Sequence, residues 1–269
     1  MKKLLLTALS FTMGLAAVAQ APKADVLDII FNDDGTVVDA SAMANPVRVL
    51  GNPDIKKSPM YGMNVLCNEE TQWGKESFHT VRIPYNDQLI GAIENGMTME
   101  VMARPCFEDG KFNQTWCNVF GCYQGGGFGI IINGGKWDFE CVIGGGYKDA
   151  TFGPVVDGEW IHLVGVWDKE TGEYKLYANG ELASTVDGVS GDLSLPNANG
   201  KERFVGVGVD FEPNPVSTCG YSFQGDIAIA RIYDNPLTAE QVKALYQEVD
   251  VKKTGEAEHV DRVFPTLRT

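Results

Sequence analysis

Apolar positions recur in short runs along the chain, and Gly, Asn, Asp and Pro separate these runs from one another. This pattern is typical of β-strands joined by turns. The predicted strands cover residues 26–31, 47–50, 60–67, 78–83, 97–104, 115–123, 128–132, 136–143, 159–168, 173–178, 182–186, 203–209 and 223–233. Many short strands with almost no helix predict an all-β sandwich or barrel.

Two hairpins are predicted from their turn residues. Asn133-Gly134-Gly135 separates two strand-like runs within residues 130–137, and Asn179-Gly180 does the same within residues 176–182. An Asn-Gly pair accepts the positive φ angles of a type I′ turn, which matches the twist of the flanking strands. Both segments are therefore expected to be antiparallel neighbours.

The segment 160–167 is apolar on both of its faces. A strand tolerates that pattern only when both faces are covered, so a central strand is predicted, with Trp160 and Trp167 in the core. His162 lies among these apolar residues and is interpreted as a core histidine with a structural role.

Two helices interrupt the β pattern. Thr238 and Gln241 have the spacing of a capping box, and Val242, Leu245 and Tyr246 form one apolar stripe, so a helix is predicted over residues 239–247. A shorter helical turn is predicted at residues 86–94. No linker longer than a loop divides the chain, and one domain over residues 20–250 is expected, with 251–269 as a loose tail.

The first residues have the layout of a cleavable secretory signal. Lys2 and Lys3 precede an apolar run, and small residues at Ala17-Val18-Ala19 predict cleavage after residue 19. No Cys near the cut could accept a lipid, and no later segment approaches the roughly 20 apolar residues that cross a bilayer. A periplasmic or extracellular protein without membrane insertion is predicted.

The charge excludes one class of partner. The formal charge is −14, and loss of Lys2 and Lys3 would make it −16 (−14 − 2). Such a field repels phosphate backbones, so no nucleic acid is expected. Two interpretations of this acidity are open. It keeps an exported protein soluble, or it binds a cation.

Six cysteines follow the predicted cut, namely Cys67, Cys106, Cys117, Cys122, Cys141 and Cys219. An oxidising compartment permits disulfides, but a sandwich of this size has enough core without them, and buried free thiols are the alternative. No spacing typical of a structural zinc site is present.

Two segments resemble a known signature. Trp160, His162 and Asp168, followed by Leu176-Tyr177-Ala178-Asn179-Gly180, resemble the laminin-G-like pattern, and residues 225–238 resemble its closing strand and helix cap. Residues 24–35 and 38–41 are similar to exported laminin-G-like proteins of gut Bacteroidetes. The resemblance implies a two-sheet antiparallel jelly-roll sandwich of the concanavalin A-like lectin/glucanase superfamily with a short C-terminal helix. That fold hosts lectins, adhesion modules and glycanases.

Related glucanases carry their carboxylates as E-x-D-x-E or E-x-D-x-x-E on one strand, and neither pattern is present. Asp138 and Glu140 are the only alternate-position pair of acids inside a predicted strand, and they would face one side. A solvated outer face is the favoured interpretation of this pair. No catalytic residue is therefore predicted.

Aromatic side chains near predicted loop ends are the candidates for ligand binding. Their rings can contact the apolar side of a pyranose, although core packing is the alternative for each. The candidates are Trp73, Trp116, Tyr123, Trp137 and Tyr147.

A calcium ion is the one cofactor that the resemblance implies. Asp34, Asp39 and Asp226 lie in or beside the first and last strands, which are expected to be neighbours. Turn and cap chemistry by these residues needs no metal and is the alternative.

The sequence thus predicts an exported, non-catalytic, lectin-like module that binds a glycan or another cell-surface polymer. A protein-binding adhesion or assembly module is one alternative, and a glycan-degrading hydrolase or lyase is another. The oligomeric state is not predicted.

Overall fold

The computed structural model describes residues 20–50, 53–68, 80–107, 116–197, 200, 202–211 and 219–254. The predicted signal at residues 1–19, most of the predicted tail and Trp73 lie outside the described residues.

Two antiparallel sheets form the body of the described chain. The first contains, in spatial order, β14 (Glu181–Val186), β13 (Glu173–Ala178), β12 (Ile161–Asp168), β7 (Gly96–Pro105), β18 (Gly225–Tyr233), β1 (Leu27–Phe31) and β2 (Val37–Asp39), with β5 (Asn64–Asn68) on β18 and β4 (Asp54–Lys57) on β5. The second contains β11 (Gly146–Phe152), β10 (Lys136–Ile143), β9 (Gly127–Asn133), β8 (Trp116–Tyr123), β15 (Phe204–Val207), β6 (Thr80–Pro84) and β3 (Arg48–Leu50). A short pair, β16 (Asp210–Phe211) and β17 (Cys219–Gly220), lies beside β8 and β15. The predicted two-sheet sandwich is confirmed.

The core lies between the two sheets. Phe139 of β10 stacks on Tyr174 of β13 with ring centroids 4.6 Å apart, and the Tyr174 hydroxyl donates to the Phe139 carbonyl at 2.9 Å. Gly165 of β12 leaves room for this ring, because a Cβ atom there would lie 2.3 Å from Phe139 Cγ. The sandwich therefore depends on a missing side chain at the centre of one sheet.

Both predicted hairpins are present. Asn133 pairs with Lys136 across Gly134 and Gly135, whose φ angles are +57° and +76°. In the other hairpin, Ala178 pairs with Glu181 across Asn179 and Gly180, with φ angles of +50° and +79°. Positive φ at both central residues is type I′ geometry, which the sequence predicted for the turn at Asn179-Gly180.

The predicted central strand is also confirmed. β12 lies between β13 and β7, and Trp167 is fully buried. Its outer face is covered by α2 (Ala239–Asp250), because Val164 and Val166 pack with Val242 and Leu245 of that helix. The capping box at Thr238 is present. Asn86 caps the second predicted helix, α1 (Asp87–Ile93).

Trp160 is half-buried rather than in the core. It precedes β12, and its ring meets Tyr61 edge-on, with centroids 5.9 Å apart, while the Arg104 guanidinium lies 5.6 Å from the Trp160 ring centroid. The sequence predicted Trp160 in the core because the predicted strand began at residue 159, whereas β12 begins at Ile161.

The sequence missed β2, β4, β11 and the short pair β16–β17, and β11 contributes two residues to the lining of the site. Its residues alternate between partly and fully exposed except at Ala150, so no apolar run marks it. β11 pairs with β10 along its whole length through a hairpin at Gly144-Gly145. Residues that the sequence placed in a loop therefore belong to the edge of the second sheet.

Five cysteines can be assessed in the described chain, and all five are buried. Cys117, Cys122 and Cys141 are free thiols, so the structure favours the buried-thiol interpretation for these three. Among the described residues, no helix combines the length and apolar character needed to cross a bilayer.

Candidate functional site

A cavity of about 530 Å³ opens on the outer face of the second sheet, in the size range of small-molecule sites. It is lined by Trp116, Tyr123, Gln124, Gly125, Asn133, Glu140, Tyr147, Asp149, Asp210 and Tyr221. These residues come from β8, β9, β10, β11 and the β16–β17 region. The cavity thus combines aromatic rings with acidic and amide side chains.

Three aromatic rings form one wall of the cavity. The Trp116 ring is edge-on both to Tyr123, at 5.4 Å between centroids, and to Tyr221, at 5.1 Å. The Tyr123 hydroxyl donates to the backbone carbonyl of Glu140, and Gly129 leaves room for its ring, since a Cβ there would lie 3.0 Å from Tyr123 Cε2. Edge-to-face packing and this hydrogen bond hold the wall in place.

Three predicted ligand-binding aromatics meet at this cavity, because Trp116, Tyr123 and Tyr147 all line it. Tyr147 is the most open of the three, with 58 % of its surface exposed. Trp137 does not fit the prediction. It is 2 % exposed and packs in the core against Phe223, because it alternates with the outward-facing residues of β10.

The sequence did not single out Tyr221 or Asp210. Tyr221 follows β17 with a φ of +47°, and no periodic pattern marks its position. Asp210 is buried, and its Oδ1 accepts the backbone N–H of Tyr123 at 2.9 Å. The pairing of β16 with β17 places both residues beside β8, where the Asn118 N–H donates to the Tyr221 carbonyl at 2.8 Å.

A group of three carboxylates lies at the cavity, and two of the three belong to its lining. Asp138 and Glu140 point to the same side of β10, and Asp149 of β11 is directly opposite Glu140 in the register. One ligand oxygen from each of the three residues lies within 4.8 Å of the others. Asp138, Glu140 and Asp149 are called the acidic triad below.

The expectation that Asp138 and Glu140 lie on a solvated face is wrong. Asp138 is 2 % exposed and Glu140 is 7 % exposed, whereas Asp149 is exposed. Glu140 is covered in part because the Tyr123 ring lies over Gly129, the β9 residue that pairs with Glu140. Glu140 and Asp149 line the cavity, and Asp138 lies behind them.

Burial and mutual repulsion control the charge of the acidic triad. Burial, with the nearby charge of Asp149, raises the pKa of Asp138 to about 7. Burial also raises the pKa of Glu140, and the hydrogen bond and charge of Asp149 raise that pKa further. At neutral pH Glu140 therefore holds a proton and Asp138 is partly protonated, unless a cation neutralises them.

The structure does not bring the three predicted calcium ligands together. Asp34 accepts from the Thr36 backbone N–H at 3.0 Å, Asp39 accepts from Ser41 and Asn45, and Asp226 forms an ion pair with Arg104. Each of these contacts serves a turn or the core without a metal. In the part of the chain that the structure describes, the acidic triad is the only group of three or more such ligands. Calcium binding by the predicted residues stays a prediction.

A second buried carboxylate lies between the first sheet and α2. Glu100 of β7 lies 2.8 Å from His162 Nε2, and it accepts from the Tyr233 hydroxyl at 2.6 Å and from Arg231 at 3.4 Å. Burial alone would raise its pKa, but His162, Arg231 and Tyr233 outweigh burial and lower the pKa of Glu100 to about 2. His162 thus has the structural role predicted for it, and the sequence did not reveal its partner.

Comparison with known proteins assigns the fold to a family. Residues 81–243, well over half of the chain, match the Concanavalin A-like lectin/glucanases superfamily, so the chain belongs to that superfamily. Its laminin-G-like resemblance is thereby confirmed.

Two kinds of relative accompany this assignment. The mouse pentraxin-related protein PTX3 is 32 % identical over 111 residues, which cover 38 % of this chain and 27 % of that protein. The binding domain of botulinum neurotoxin serotype G has a TM-score of 0.61 at 14 % identity, and that match covers 84 % of this chain and 51 % of the other. The botulinum neurotoxin DC binding domain in complex with SialylT has a TM-score of 0.59 at 14 % identity, covering 84 % and 52 %. The chain thus spans about half of each toxin binding domain, and the match covers 27 % of PTX3. At 14 % identity the two toxin binding domains show the fold alone.

Proposed function

We propose that this protein is an exported, non-catalytic carbohydrate-binding module and that the cavity on the second sheet is its binding site. The observation that carries the proposal is the aromatic wall of Trp116, Tyr123 and Tyr221 beside acidic and amide side chains in one cavity of about 530 Å³. Export is supported by the signal-like pattern at residues 1–19.

The two kinds of side chain suit the two faces of a sugar. A pyranose ring presents C–H groups that pack on an aromatic ring, while its hydroxyls need hydrogen-bond partners of fixed position. Tyr147 supplies an exposed ring, and Glu140, Asp149 and Asn133 supply acceptors and donors nearby. A cavity of this composition discriminates among sugars by the positions of their hydroxyls.

The relatives support a binding role rather than catalysis. The structural neighbours are described as toxin binding domains, and one of them is in complex with SialylT. A binding role on this fold needs only a rigid sheet that presents the cavity, and the hydrogen-bonded β8–β11 strands provide one.

Glycoside hydrolysis is a second candidate, because one specific observation favours it. Glu140 and Asp149 bring carboxylate oxygens within 4.8 Å of each other, and retaining enzymes hold their two carboxyl groups about 5–5.5 Å apart. The raised pKa of Glu140 is the property of a general acid. Release of reducing ends from a bound glycan, abolished in Glu140→Gln, would establish this activity in place of simple binding.

A glycan array followed by calorimetry tests the proposed function. Wild-type protein is expected to bind a defined set of glycans, and Tyr147→Ala is expected to weaken binding about tenfold or more, because the exposed ring contributes contact area without supporting the core. Trp116→Ala should weaken binding at least as much. Phe152→Ala is the matched control, since Phe152 is also exposed on β11 but is not a lining residue.

Binding that is lost in Tyr147→Ala and retained in Phe152→Ala supports the site. Absence of binding to every glycan, or equal binding by all variants, would overturn the proposal and favour a protein partner.

A further inference from the structure

We propose that Asp138, Glu140 and Asp149 bind a Ca²⁺ ion at the wall of the cavity, with the open side of the ion facing the bound ligand. The contact between ion and sugar rests on the proposed function, whereas the ion site itself does not.

The register of two strands builds the site. Asp138 and Glu140 are two residues apart on β10 and so project to one side, and the pairing of Glu140 with Asp149 adds a third carboxylate from β11. Like charges directly opposite each other on neighbouring strands destabilise a sheet. A group that gathers three of them therefore needs neutralisation.

Asp138 supplies an independent observation that points to a ligand. The residue is only 2 % exposed, and its Oδ1 atom has no hydrogen-bond partner in the described structure. A buried polar atom without a partner costs about 1–3 kcal/mol, and more when it is charged. A cation held by the triad would satisfy this oxygen.

No basic side chain of the described residues neutralises the triad, because none of these Lys, Arg or His residues forms an ion pair with any of its three members. Lys148 precedes Asp149 on β11, but consecutive residues of a strand project to opposite faces. Within the part of the chain that the structure describes, protons or a bound cation are thus left to balance the charge.

The ligand atoms favour a hard cation such as calcium over zinc. All three donors are carboxylate oxygens, which hard cations prefer, and the group contains no His or Cys for zinc. Ca²⁺ binds oxygens at about 2.3–2.6 Å, so two ligands of one ion lie up to about 5 Å apart, and the three carboxylates are close enough together to share one ion. Ca²⁺ takes about 6–8 oxygens. Because Glu140 and Asp149 line the cavity, its remaining positions are open to water or sugar hydroxyls.

Thermal unfolding of the full-length protein, first stripped with EDTA, tests the site with the metal alone. CaCl2 at 100 times its Kd is expected to raise Tm by about 5–10 °C, because the ion binds the folded state only. Tb³⁺ is expected to show luminescence sensitised by the nearby Trp116 and Tyr123 rings, and excess Ca²⁺ should remove it.

Asp149→Asn is the informative variant, because Asp149 is exposed and its replacement spares the core. It is expected to lose the Ca²⁺-dependent rise in Tm and the Tb³⁺ signal, while its Tm in EDTA stays equal to or above that of wild type. Asp187→Asn, an exposed acid in the loop after β14, is the matched control and should behave as wild type.

A Ca²⁺ shift that is absent from wild type, or equal in wild type and Asp149→Asn, would overturn the ion site. Glycan binding measured in EDTA separates the two proposals. Binding that persists without Ca²⁺ overturns only the contact between ion and sugar, and a Ca²⁺ shift in a protein that binds no glycan overturns only the proposed function.

Discussion

The two sheets each bury carboxylates on their outer side, and they treat them in opposite ways. Glu100, between the first sheet and α2, is fully buried and receives hydrogen bonds from Tyr233 and Arg231, with His162 at 2.8 Å. The acidic triad on the second sheet gathers three carboxylates with no ion pair to a described basic residue. Both regions therefore bury carboxylates, but among the described residues only Glu100 has basic partners for its charge.

We infer that this difference separates a carboxylate with a structural role from carboxylates that are available for binding. The partners of Glu100 lower the pKa of this carboxylate to about 2, so its ionised form stabilises the fold. Asp138 and Glu140, which form no ion pair with a described basic residue, have raised pKa values, and their ionised forms reduce stability until a cation or proton neutralises them. Carboxylates with such raised pKa values are common at binding sites.

The largest expected effect comes from removing the compensated charge. Glu100→Gln takes the carboxylate away from Arg231 and His162, and loss of one partner of a buried pair costs about 3–5 kcal/mol. Denaturant unfolding measures this as a fall in the unfolding free energy, with glycan binding by the folded fraction unchanged. An unfolding free energy within about 1 kcal/mol of wild type would contradict the structural role of Glu100.

Lowering the pH should remove the contribution of the Glu100 charge to the stability of wild-type protein. Glu100 takes up its proton near pH 2 in the folded state but near its ordinary pKa of 4.5 in the unfolded chain. Its contribution is therefore present above pH 4.5 and is lost as the pH falls towards 2, and the difference is worth about 3 kcal/mol. Unfolding free energies measured across this range should fall more steeply in wild type than in Glu100→Gln. Parallel curves would mean that Glu100 has no lowered pKa.

A smaller effect of opposite sign is expected at the triad. Asp138→Asn replaces a carboxylate whose Oδ1 has no hydrogen-bond partner by an amide that can donate to Glu140. Because this removes one of three neighbouring like charges, the unfolding free energy in EDTA should rise by up to about 1 kcal/mol. Chemical denaturation in EDTA measures the change, with Asp187→Asn as control. A loss of more than about 1 kcal/mol would show that Asp138 is structural, as Glu100 is.

Much of the fold could be predicted because its signals are local. The Asn-Gly turn at residues 179–180, the capping box at Thr238 and the two-faced apolar strand β12 each need only a few neighbouring residues to specify them. β11 could not be found in this way. It is an edge strand with one buried residue, and only its pairing with β10 defines it.

The site was predictable only in part for the same reason. Trp116, Tyr123 and Tyr147 could be proposed from their positions near turns, but the exposure of Trp137 depended on which residues of β10 face inward. Asp149 meets Glu140 through the cross-strand register of a strand that the sequence did not show. Tyr221 joins Trp116 through a contact between residues 105 positions apart (221 − 116).

A crystal structure of the protein grown with Ca²⁺ and a glycan selected by the array would locate both ligands at once. We expect sugar density against Tyr147 and Trp116 in the cavity, with an ion bound by Asp138, Glu140 and Asp149 beside it. Sugar bound on another surface, with this cavity empty, would show that the cavity is not the binding site.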